Sequence, residues 1–276
     1  MNDDQCLRRL IFRKDVLTEL CNLLQAELEP QTRVRTALSV ASKVTIALNF
    51  YATGSFHATT ADIRNISQFA AYKSMREVTG ALHIRRADYI SFPMSRDKQL
   101  EHQTAFLHNE GFLRVQGVID SSYVGLRAPK QAPEQFRNHK GLLSLNVQLI
   151  CYHNHKIMKV DARFPGSSHD SFILRQSGVP HLFTGPNEDC GWLLGDKGYV
   201  LSTGLMTPLL NPRTAVQLAY NESHSATRTI IEHTIGILKQ RMPIVAWTTQ
   251  WVCCSPCLNM YPYSWWCAAC STTWPS

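Results

Sequence analysis

The stretch LSLNVQLICYHNHKIMKVDARF, Leu143–Phe164, decides the architecture. Two apolar, β-branched runs, Leu143–Tyr152 and Ile157–Phe164, flank the polar bend His153-Asn154-His155. That pattern predicts a β-hairpin. Upstream, Val115–Ile119 reads as a further short strand. Downstream, Asp170–Gln176 reads as a short helix, and Gly191-Trp-Leu-Leu-Gly195 as a buried strand ending in a turn. Ser223–Arg241 then places Ile230, Ile231, Ile235 and Leu238 on or near one face of an amphipathic helix. Strands mixed with helices in this order predict an α/β layer, with helices packed on a sheet.

The first hundred residues have a different period. Asp15–Gln25 and Gln31–Phe50 space Val, Leu and Ala three and four residues apart with few breakers, which predicts helices. Gly54 interrupts the pattern within Tyr51–Phe56. Two more helical patterns follow, Thr60–Ile63 and Ser67–Ile84, with Ser67 as a good N-cap for the second. The expected organisation is a helical region over residues 1–100, an α/β domain over 115–242 and a separate tail over 243–276.

Composition bounds the function classes. The chain has 276 residues, a formal net charge of +7, 44% hydrophobic and 18% charged residues. That length suits one large domain or two modest ones, and the apolar share excludes wholesale disorder. No apolar run reaches the about 18 residues of a membrane span. The acidic start Met-Asn-Asp-Asp-Gln lacks a signal-peptide pattern, so neither secretion nor a membrane is expected. All Lys, Arg, Asp and Glu lie between Asp3 and Arg241, and the remaining tail holds five of the nine cysteines and five of the six tryptophans. Cys254-x-x-Cys257 and Cys267-x-x-Cys270 have the form of a four-cysteine zinc site. Their linking loop is short, and Trp265-Trp266 crowds the second pair. An alternative exon, a frameshift or a gene-model error is the expected origin of this segment, with zinc as the rival reading.

Acidic residues are scarce in the second half, which makes their placement informative. Asp120 ends the apolar run GVID, Asp196 follows WLLG with Gly198 two residues on, Asp170 sits at a predicted helix start, and Glu232 lies among helix isoleucines. An unpaired carboxylate would be costly to bury there. Converging at a sheet edge, such groups attract hard divalent cations, Mg²⁺ or Mn²⁺. Each also has a plainer reading. Asp170 can cap its helix, Asp196 can be a turn residue, and Glu232 can pair with Arg228 one turn earlier. A serine hydrolase is discounted, because Ser144 and Ser171 lack the elbow glycines.

Six ordered blocks carry a family resemblance: GVIDSSYVGLRAP (Gly117–Pro129), KGLLSLNVQLIC (Lys140–Cys151), RFPGSSHDS (Arg163–Ser171), WLLGDKGY (Trp192–Tyr199), LMTPL (Leu205–Leu209) and YNESHSATRTIIEHTIGILKQR (Tyr220–Arg241). Residues 115–242 resemble the DDE-type transposase and nuclease domain of the PIF/Harbinger superfamily, up to about Ile244. The resemblance implies an RNase H-like fold, with Asp120, Asp196 and Glu232 as a catalytic, metal-binding triad. The 35 residues between Asp196 and Glu232 suit that family's spacing. It also marks Asp170 as a fourth metal ligand, with Mg²⁺ or Mn²⁺ as cofactor and DNA as substrate. Arg228 and Lys239 flank Glu232 as candidates to orient it or contact phosphate, and His169 and Lys197 are candidates to support the ligands. The rival is a domesticated, catalytically inactive DNA-binding or adaptor protein of the same origin. The family further implies a nuclear site of action, with cytoplasmic residence, and a Myb/SANT-like partner. Arg8-Arg9 and Arg85-Arg86 are too short to be import clusters.

Thr60–Ile84 reads as helix, turn, helix, the form of a DNA-binding helix-turn-helix. Gln68, Tyr72, Lys73 and Arg76 fall on the expected outer face, and Arg85 and Arg86 follow as phosphate contacts. Phe69, Met75, Val78 and Leu82 are expected to pack inward. The plain alternative is a pair of core helices. The block Ala52–Leu82 occupies the family's position for such a motif, but Asn65 stands where related sequences often carry a turn glycine. Asparagine tolerates that left-handed geometry.

Overall fold

The computed structural model describes residues 6–7, 10–30, 37–54, 61–62, 65–126, 129, 132–183 and 191–242. The chain divides into two compact units, one built chiefly by residues 1–89 and the other by 90–124 and 128–237. The tail and its cysteine pairs, with Cys190, lie outside the described residues. Of the others, Cys6, Cys21 and Cys151 are free thiols.

The first unit is helical: α1 (Lys14–Leu23), α2 (Gln25–Leu28), α3 (Val40–Thr53) and α4 (Gln68–Tyr89). Helix α3 starts at Val40 because Ser39 Oγ accepts the Ser42 N–H at 3.2 Å. It stops where Gly54 adopts φ +63° and donates its N–H to the Phe50 carbonyl at 2.8 Å. The longer helical pattern over Gln31–Phe50 is therefore cut at its start: residues 37–39 are not helical, and 31–36 lie outside the described residues. Ser67 does cap α4, accepting the Ala70 N–H at 3.1 Å. Helix α4 buries Ala71, Met75, Val78 and Leu82, and Tyr51 of α3 meets its Thr79 hydroxyl at 2.5 Å. Each large apolar side chain so buried contributes about 1.5–3 kcal/mol.

The second unit contains α5 (Arg96–Glu110), then β1 (Val115–Gly125), β2 (Ser144–Cys151), β3 (Ile157–Pro165), α6 (Asp170–Gln176), β4 (Trp192–Leu194), β5 (Leu205–Met206) and α7 (Ala215–Arg241). The strands form one mixed sheet in the order β3-β2-β1-β4-β5. β2 and β3 are the antiparallel hairpin, turning where His155 adopts φ +65°. β4 runs parallel to both β1 and β5. Strand β2 is buried along its whole length, as expected of a strand covered on both faces. At Gly117 in β1 a Cβ would lie 2.6 Å from Met158 Cε and 3.0 Å from the Cys151 carbonyl oxygen, so the Met158 side chain would have to move to admit one. Helix α7 buries Ile230, Ile231, Ile235 and Leu238, as its pattern predicts. Among the described residues no helix is long and apolar enough to cross a membrane.

Candidate active site

Strand register sets the site. In the parallel pair β1/β4, Val118 lies opposite Leu194. Asp120 and Asp196 each lie two residues beyond that pair, and the Asp196 charge is near enough to act on the Asp120 carboxyl. Asp120 does not end its strand, because β1 runs on to Gly125. Asp196 lies just beyond β4 and accepts the Gly198 N–H at 2.9 Å. Its turn role is therefore real and does not exclude a second one.

Asp170 is the first residue of α6, and His169 stands at the cap position without a side-chain cap bond. The capping reading of Asp170 is thereby corrected. The Asp170 Oδ1 atom instead accepts the Asn146 Nδ2–H at 2.9 Å, while the same amide also donates to the Ser168 carbonyl at 2.9 Å. Asp170 Oδ2 and Asp196 Oδ1 both lie beside Gly198, at 3.4 and 3.0 Å from where a Cβ would stand. A side chain at that position would crowd both carboxylates. Beneath them, the Tyr199 hydroxyl lies 3.2 Å from both Ser121 Oγ and Gln148 Nε2. Burial pushes this phenol well above its ordinary range, and the charges of Asp170 and Asp120 push the same way. Sequence reasoning missed Asn146, Gln148 and Tyr199. The signal for the first two was present, as two amides inside an otherwise apolar strand require buried partners.

Helix α7 brings the fourth carboxylate. Glu232 is not buried: its side chain is 51% exposed, so the cost of burial does not apply to it. It pairs with Arg228 one turn earlier, and the same guanidinium donates from Nη1 to Asp120 Oδ2 at 2.9 Å. Arg228 and Asp120 are each 19% exposed. The other Asp120 oxygen accepts the Ser121 N–H at 2.7 Å. Burial raises the Asp120 carboxyl, Asp196 adds to the rise, and the Ser121 N–H and Arg228 oppose it. Lys239 lies two helical turns beyond Glu232. His169 and Lys197 are exposed, and among the described residues neither shares a hydrogen bond or ion pair with these carboxylates.

The structure thus joins Asp120 to Glu232 through Arg228 and places Asp170 and Asp196 beside Gly198. Among the described residues no three His, Cys, Asp or Glu side chains are grouped closely enough to hold a metal ion. The donor chemistry of the four candidates fits a hard divalent cation, because each would supply a carboxylate oxygen.

On α4, Gln68, Lys73, Arg76 and Arg86 are exposed and Tyr72 is half-buried. Asn65 adopts φ +52°, the left-handed turn its side chain tolerates. Phe69 is corrected: it is 72% exposed and does not pack inward. Arg85 is held by Glu27 at 2.7 Å, and Lys73 lies 3.8 Å from Glu77. Arg76 sits over the Tyr72 ring. The first helix of the expected helix-turn-helix falls largely outside the described residues, of which only Ala61 and Asp62 belong to it.

A mixed five-stranded sheet with Asp120 on β1, Asp196 just after β4 and further carboxylates on helices fits a DDE endonuclease domain, and residues 119–253 match the DDE superfamily endonuclease family. That match extends past Ile244, where the resemblance in the sequence was expected to end. The chain belongs to the Harbinger-derived nuclease family. It is 34% identical over 241 residues to "Putative nuclease HARBI1" of Homo sapiens, covering 87% of this chain and 69% of the relative. The Xenopus laevis protein of that name is 32% identical over 241 residues, covering 87% and 70%. "Protein ALP1-like" of Arabidopsis thaliana is 21% identical over 224 residues, covering 75% and 54%. No solved structure matches.

Proposed function

We propose that the chain is a divalent-metal-dependent endonuclease that hydrolyses DNA phosphodiester bonds. The observation that carries this reading is that Arg228 joins Glu232 of α7 to Asp120 of β1, with Asp196 near enough for its charge to raise the Asp120 carboxyl. Asp120, Asp196 and Glu232 would form the catalytic triad, and Asp170 the fourth ligand. A divalent cation held by these oxygens would lower the pKa of a bound water and neutralise charge on the scissile phosphate. The chain's own part is orientation. Asn146 fixes one Asp170 oxygen, while the Ser121 N–H fixes Asp120. Arg228 and Lys239 are the candidates to meet phosphate.

Purified protein with Mg²⁺ or Mn²⁺ is expected to nick DNA, and Asp120→Ala or Glu232→Ala to abolish it. Equal nicking by all three sinks the assignment. The rival, a catalytically inactive DNA-binding or adaptor protein, draws on the absence of a three-ligand group among the described residues. It expects DNA binding that ignores metal, with no nicking.

DNA contact would use Gln68, Tyr72, Lys73, Arg76 and Arg86 on the open face of α4, and a flat plot of log K against log salt would exclude phosphate contact there. Action in the nucleus with a Myb/SANT-like partner accompanies this reading, and cell fractionation tests the location.

A further inference from the structure

Arg228 does more than an ordinary helix-surface ion pair. An i, i+4 arginine on an exposed face holds its partner loosely and stays in water. The Arg228 side chain is only 19% exposed, and its two terminal nitrogens reach carboxylates from different elements, Asp120 of β1 and Glu232 of α7. These are two of the groups assigned above as metal ligands, and the inference rests on that assignment. A guanidinium is always charged, and its planar fork is suited to spanning two carboxylates. A divalent cation drawn to the same oxygens would face that fixed positive charge at close range, in a partly water-excluded site where charge repulsion is poorly screened.

We propose that Arg228 is a built-in competitor of the divalent cation. It supplies the positive charge that holds Asp120 and Glu232 together, and it yields that position as the cation enters, freeing its fork for the phosphate oxygens of DNA. The pair would make metal and DNA binding mutually supportive: phosphate gives the displaced guanidinium a new partner. Exchange of one cation for the other also keeps Asp120 neutralised throughout.

The test is calorimetric titration of the full-length protein with MnCl₂, comparing wild type with Arg228→Gln and Arg228→Lys. Arg228→Gln is expected to bind Mn²⁺ at least tenfold more tightly than wild type. Its melting temperature should fall in EDTA and recover with Mn²⁺. Arg228→Lys keeps the charge but loses the fork, so its affinity should rise severalfold, which preserves the test if the glutamine variant does not fold. Mn²⁺ binding by wild type with equal or weaker binding by both variants overturns the competition while leaving the metal site standing. No Mn²⁺ binding by any of the proteins overturns the metal-site reading itself, and this inference with it.

Discussion

Asp161 on β3 and Asp120 on β1 both meet an arginine, yet the two pairs are built differently. Asp161 is 3% exposed and takes both oxygens to Arg163, two residues along the same strand, at 2.9 and 2.6 Å. That pair forms wherever the strand forms. Asp120 meets an arginine 108 residues away, shares it with Glu232 and lies close enough to Asp196 for that charge to raise its own carboxyl. One carboxylate is paired by an arginine of its own strand. The other depends on a shared cation, which is the condition under which a site can exchange one positive partner for another.

The largest expected difference lies in activity. Asp120→Ala or Glu232→Ala should lower DNA nicking about a thousandfold or more, because a metal ligand supports several kcal/mol of charge stabilisation in the transition state. Asp161→Asn should leave nicking near wild type. Comparable losses in both would erase the distinction. Asn146→Ala, which frees Asp170, should weaken Mn²⁺ binding about 10–100-fold by calorimetry. Unchanged affinity would remove Asn146 from the site. Asp161→Asn should lower the urea unfolding free energy by about 1–2 kcal/mol, since half-exposed Arg163 keeps much of its hydration, with no change in Mn²⁺ affinity. Ser67→Ala, which removes a cap far in sequence from either aspartate, should cost about 1 kcal/mol in the same measurement.

The shallowest effect is a pH slope. Burial lowers the imidazoles of His102, His155 and His224, and their folded form prefers the neutral ring. Their contribution is present above the ordinary histidine range of about 6.5 and is lost as pH falls through and below it. Melting temperatures at pH 7.5 and 5.5 check the direction. Asp120 works with the opposite sign, since its raised carboxyl contributes stability at low pH that is lost as pH rises through its folded value.

Legibility in the sequence followed how local each feature was. The β2–β3 hairpin, the bounds of α6 and the Ser67 cap depend on neighbours within a few residues, and the structure shows each of them. Helix α5 was not legible from its apolar spacing, because it buries only Gln99 and Phe106. Its signals are terminal, Ser95 before it and Gly111 at φ +70° after it. Helix α7 starts at Ala215, earlier than the apolar pattern at Ser223 indicates. A capping box marks that start: Gln217 N–H donates to Thr214 Oγ1, and the Gln217 side chain accepts from Thr214 N–H, both at 3.2 Å. Phe69 shows the reverse failure, an apolar residue at core spacing that the helix leaves exposed.

By itself the sequence determined the period of each element, the family to which its ordered blocks belong and the identity of four scarce carboxylates. These are properties of neighbouring residues and of order along the chain. Only the tertiary structure decided which carboxylates meet. Pairing of β1 with β4 brought Asp196 near enough for its charge to act on Asp120, the missing Cβ of Gly198 left room beside Asp170 and Asp196, and the reach of one guanidinium from α7 joined Glu232 to Asp120. The physical reason is one of range: propensity acts over a turn, whereas charge placement acts across space between residues that no local pattern relates.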